Sequence, residues 1–155
     1  MEYKDYLDFL SGLCGQLDQL AQVEGDKIAA VRSFDLEALD ACMKQEQAMA
    51  LTLRGSEQKR DRMLAQLGLA GVSLRELPRR CPPQYAQETG QVVERLLRAY
   101  QILQSVQEPA HSLLERQLHS VEDQLRAKGV EPEVDTSYQP APGQRPQSLR
   151  TDFKA

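Results

Sequence analysis

Tryptophan is absent from this chain, and aromatic residues of any kind make up only 5% of it. Strands draw heavily on aromatic and β-branched side chains, so the shortage argues against a sheet-based core. The three cysteines, Cys14, Cys42 and Cys81, are an odd number at spacings that match no metal or redox motif. Small, reduced thiols beside the core are expected, as suits the cytoplasm. The only histidines, His111 and His119, lie two helical turns apart, roughly 12 Å along an axis, too far to share a metal. No apolar run approaches the roughly 20 residues of a membrane span. The opening Met1-Glu2-Tyr3-Lys4-Asp5 lacks the basic and apolar regions of a secretory signal. A soluble, cytoplasmic chain with no membrane insertion is therefore expected. A net charge of −4 with short basic runs only, Lys59-Arg60 with Arg62, and Arg79-Arg80, lacks the basic face of a nucleic-acid binder. The sequences GxSxG, GxGxxG and the P-loop do not occur, and no nucleophile stands out beside an acid–base partner. The expectation is a protein that is not an enzyme and needs neither cofactor nor metal.

Present in abundance are three stretches of apolar residues spaced alternately three and four apart. The first runs Tyr3, Tyr6, Leu10, Leu13, Leu17, Leu20. The second runs Leu36, Leu39, Met43, Ala50, Leu53, Leu64, Leu67, with Glu46, Glu57 and Arg60 at the remaining steps. The third runs Val93, Leu96, Tyr100, Leu103, Ala110, Leu114, Leu118, Val121, Leu125, with Gln107 as its polar step. This spacing holds one face of an α-helix apolar and predicts coiled-coil-like packing. The fold class expected is all-α: an elongated antiparallel helical bundle of three long helices.

Boundaries are legible from caps. Helix one covers about 2–32, with a stutter at Glu24 that carries the seam to Ile28 and Val31. Asp35 is placed to cap helix two, with Phe34 and Leu39 as a hydrophobic staple, so helices one and two form a hairpin. Gly68 ends helix two. Ser73-Leu74-Arg75-Glu76 reads as a capping box before a single turn that Pro78 cuts short. Helix three runs from about 83 to 128, with a kink expected near Pro109 and an end at Gly129. Two parts are expected: a helical domain 1–129 and a flexible tail 130–155, where Pro132, Pro140, Pro142 and Pro146 interrupt any seam.

The polar steps in the seams carry the functional question. Glu46, Glu57, Arg60 and Gln107 are costly in a closed coiled coil unless paired or at a rim. They sit at the rim if the helices drift from an ideal heptad, or mark places where the bundle is incomplete. Beyond Pro109, Leu113, Leu114, Leu118, Val121 and Leu125 form an apolar stripe. Such a stripe is either core or a groove for a partner helix, and spacing alone leaves the two open.

The chain resembles the FlgN-like flagellar export chaperones of bacteria. The resemblance rests on Gly25-Asp26 near the end of a Leu-rich first helix, Asp35-Leu36-Glu37-Ala38-Leu39, a second helix ending Leu67-Gly68-Leu69, and a long third helix. It rests also on a tail with Thr136-Ser137-Tyr138, Gly143, Arg150 and a terminal Lys154-Ala155. It implies a chaperone that binds the amphipathic C-terminal segments of hook–filament junction proteins in the cytoplasm and delivers them to the flagellar export apparatus, with the cargo site in the C-terminal half. The stripe 113–125 is the partner site expected on that basis. The alternative is a self-associating coiled-coil scaffold, a homo-oligomer whose third helix is buried.

Overall fold

The computed structural model describes residues 1–129; the tail expected over 130–155 lies outside them. Helix α1 spans Tyr3–Arg32, α2 Leu36–Gln66, a short α3 Leu77–Arg80, and α4 Ala86–Ala127, which follows a 3₁₀ turn at Pro83–Tyr85. No strand occurs among the described residues, and the fold is the all-α bundle expected.

Each boundary has a local cause. The Asp5 carboxylate accepts from the Glu2 N–H at 2.9 Å at the start of α1. Asp35 caps α2, accepting from the Ala38 N–H at 3.0 Å. Gly68, at φ +74°, ends α2. Its N–H donates to the Ala65 carbonyl, and the Leu69 N–H donates to Leu64 at 2.8 Å. That pair of bonds is a Schellman motif, with Leu69 folded back on the core. Helix α1 passes Gly25 without a break. As expected, α3 is a single turn, and Pro78 lies inside it. It sits in the first turn, where a missing N–H costs nothing, and the Cys81 N–H still reaches the Leu77 carbonyl at 2.9 Å.

Helix α1 is the central element: α2 and α4 both pack chiefly on it. It buries Tyr6, Leu7, Leu10, Leu13, Cys14, Leu17 and Leu20 almost completely, a stripe wide enough to serve two neighbours. Its pairings set the directions. Gln16 meets Ser56 at 3.2 Å and Lys27 meets Glu46 at 2.6 Å, so α2 runs antiparallel to α1. Tyr3 meets Thr89 at 2.9 Å and Lys4 meets Glu88 at 2.6 Å, so α4 begins beside the start of α1; since it packs along α1 from there, with burial continuing to Ala110, it runs parallel to it. Leu74, Leu77 and Cys81 from the α2–α4 connection join the same core.

The α2 seam differs from the sequence reading by one residue on alternate steps. Cys42, Glu46, Leu53, Ser56, Arg60, Met63 and Leu64 are buried, and Met49 packs against the core. The positions 46, 53, 60 and 64 are common to both readings, but 42, 49 and 56 replace 43, 50 and 57, and Met63 is buried beside Leu64. Leu36 and Met43 are therefore exposed, at 76% and 44%. The row of Cys, Met and Ser is hardly more apolar than the row of Met, Ala and Glu. The polar pairing of Ser56 to Gln16 on α1 favours the observed row, since Ser56 is on the face toward α1 only in that row.

Candidate partner-binding face

Helix α4 stays continuous through Pro109, although that residue cannot donate to the Ser105 carbonyl. Its burial does not continue. Thr89, Val93, Leu96, Ala99, Leu103 and Ala110 are buried, and no α4 residue after Ala110 is. Sequence pattern alone does not cause this, since Leu114, Val121 and Leu125 prolong the same helical face. Helix α1 does not simply run out either. The Tyr3–Thr89 and Lys4–Glu88 pairs put Arg32 level with about residue 117 of α4, and about ten further residues, or about 15 Å, project beyond it. Loss of burial thus begins at the proline, before the end of α1.

The five stripe residues fall in that unburied part. Leu118 and Val121 are 61% and 49% exposed; Leu113, Leu114 and Leu125 are half-buried. Polar neighbours satisfy one another along the helix. His111 Nε2 lies 3.0 Å from Glu115, and His119 Nδ1 lies 3.8 Å from Glu122. Each histidine therefore has its own local carboxylate, and no group of three or more metal-ligating side chains gathers among the described residues. The face is an apolar strip with a mixed-charge border, suited to burying another apolar strip.

At the α1–α2 turn, the staple expected between Phe34 and Leu39 does not form. Phe34 is 74% exposed and has φ +56°. Behind the turn sits a buried charge cluster that the sequence reading split between a stutter and a rim. Lys27 Nζ is 2.6 Å from Glu46 Oε2 and 3.1 Å from Glu24 Oε2, and all three residues are at most 5% exposed. Burial, reinforced by the neighbouring Glu46 carboxylate, pushes the Glu24 carboxyl up to about 7. Burial alone would lower the Lys27 ammonium, but its bonds to Glu46 and Glu24 outweigh that and raise it. Arg60, which like Glu46 the spacing placed at the rim or at a gap in the bundle, is also buried, at 3% exposed. The sequence signal was present: folding the chain about residues 34–36 brings 24–27 opposite 42–46. Cys14, Cys42 and Cys81 are buried free thiols.

The described helices include none long and apolar enough to cross a membrane. What α4 and the turn offer is uncovered apolar surface on a well-packed base. No curated protein and no solved structure matches the chain. The model of the family described as FlgN protein matches residues 1–145, nearly the whole length, and the chain belongs to that family.

Proposed function

We propose that this chain is a cytoplasmic flagellar export chaperone that binds the C-terminal segments of hook–filament junction proteins and passes them to the export apparatus. Membership of the FlgN family, a chaperone family, supports the general activity. The observation that carries the binding site is the end of α4 burial at Ala110 while the apolar row goes on to Leu125. Leu113, Leu114, Leu118, Val121 and Leu125 take the cargo. A disordered cargo segment gains by folding its apolar face onto that row, and it pays for its own ordering in doing so. Net affinity is thereby moderated, as a protein that must later release its cargo requires.

Calorimetry with peptides from the C-terminal ends of junction proteins, against an unrelated amphipathic helix, tests this reading. One-to-one binding with a negative heat-capacity change is the expected result. Absence of binding together with a tight homo-oligomer would favour the self-associating scaffold.

A further inference from the structure

The α1–α2 turn has a residue in the wrong place for stability. The Phe34 N–H donates to the Val31 carbonyl at 3.2 Å and the Asp35 N–H to Ala30 at 3.0 Å. Phe34 thus holds the left-handed position of a Schellman motif, at φ +56°. Gly68 holds the equivalent position after α2, and glycine is the usual occupant because a side chain there meets steric cost. An aromatic residue could offset that cost by burial, but Phe34 is 74% exposed, and Leu36 beside it is 76% exposed. Neither side chain helps the hairpin close. Strain and exposure coincide on the same residue, which is the pattern of a site held ready for a ligand.

We infer that Phe34 and Leu36 form a second wall of the partner site, and that an amphipathic helix flanked by lysine or arginine lies between them and the stripe on α4. The inference rests on the proposed chaperone reading and specifies its ligand. The parallel register of α1 and α4 sets the turn level with about residue 117, between Leu114 and Val121, so both apolar surfaces lie at one height. The border of the turn decides the charge of the occupant. Asp26, Asp35, Glu37 and Asp40 are exposed there against Arg32 and Lys44, and Lys44 is already held by Asp40 at 2.9 Å. Four acidic and two basic groups leave the turn at −2. That charge disfavours an anionic membrane, and it disfavours a second copy of this chain docking turn to turn, since like charges would then face each other.

Phe34→Gly is the decisive variant, because glycine fits the backbone and the fold keeps its core. The probes are a junction-protein C-terminal peptide and two synthetic amphipathic peptides sharing one leucine ridge, one with lysine flanks and one with glutamate flanks. The wild-type chain is expected to prefer the lysine-flanked peptide. Phe34→Gly is expected to melt no lower than wild type yet bind that peptide and the junction peptide about tenfold more weakly, the loss of one apolar anchor. Leu36→Gln should weaken both similarly, and Glu37→Lys should narrow the preference between flanks. Wild-type affinity in Phe34→Gly, alongside lost binding in Leu114→Asp/Leu118→Asp, would overturn the second wall and leave the α4 site standing. No binding of any peptide by the wild-type chain would overturn the chaperone reading itself. A dimer that Phe34→Gly dissociates would overturn the inference in favour of self-association.

Discussion

Two carboxylates and one ammonium share the buried end of the α1–α2 hairpin, so the proton on Glu24 sets the net charge there. With Lys27 bound to Glu46 at 2.6 Å, an ionised Glu24 would leave a surplus negative charge in a site without water-exposed surface. Its carboxyl is raised from 4.5 to about 7, so the folded state holds the proton more tightly than the unfolded chain does. The stability from this group is complete below pH 4.5 and is lost as pH rises through 7. Thermal melting should therefore fall between pH 5 and pH 8 by an amount that Glu24→Gln removes, with the variant melting higher than wild type at pH 8. Parallel pH profiles for the two proteins would show that Glu24 is not the titrating group. Phe34 is a residue of the opposite kind, strained without being buried. Phe34→Gly should raise stability by about 1 kcal/mol, the order of the left-handed penalty for a side chain, measurable in urea unfolding.

Helix ends were legible in the sequence, because Asp35, Gly68 and Gly129 act through backbone chemistry that needs no partner element. Helix faces were legible only where the neighbours are strongly apolar. The α1 stripe was read correctly since leucine dominates it, whereas the α2 row was one residue off. There, Cys42, Met49 and Ser56 compete with Met43, Ala50 and Glu57 on nearly equal hydropathy, and the contact of Ser56 with Gln16 favours the observed rotation. The same blindness hid the charge cluster, whose members lie on two helices and are joined only by folding. Lys27 is what makes that end of the hairpin closable. Lys27→Met would leave the buried Glu46 carboxylate without its cation and should cost about 3–5 kcal/mol, seen as lower melting and faster amide exchange over 24–46. A cost within error of zero would mean that water reaches the site.

The whole molecule is a hairpin with a long helix laid along it and leaving it early. Its hydrophobic core is drawn from residues 3–103, so removing 130–155 should scarcely change the melting temperature; a drop of many degrees would show that this segment packs on the bundle. By the same reasoning Leu114→Asp/Leu118→Asp should keep wild-type helicity by circular dichroism, because neither side chain is buried, while losing cargo. A fall in helicity would make the stripe core. The central claim is that α4 beyond Pro109 is an open face until a partner covers it. Residue-resolved amide hydrogen exchange, with and without a junction-protein C-terminal peptide, tests it most directly. The account predicts weak protection over 111–127 in the free protein and a marked gain there on binding, with the α1 core unchanged. Strong protection of 111–127 in the free monomer, or protection gained only elsewhere, would contradict it.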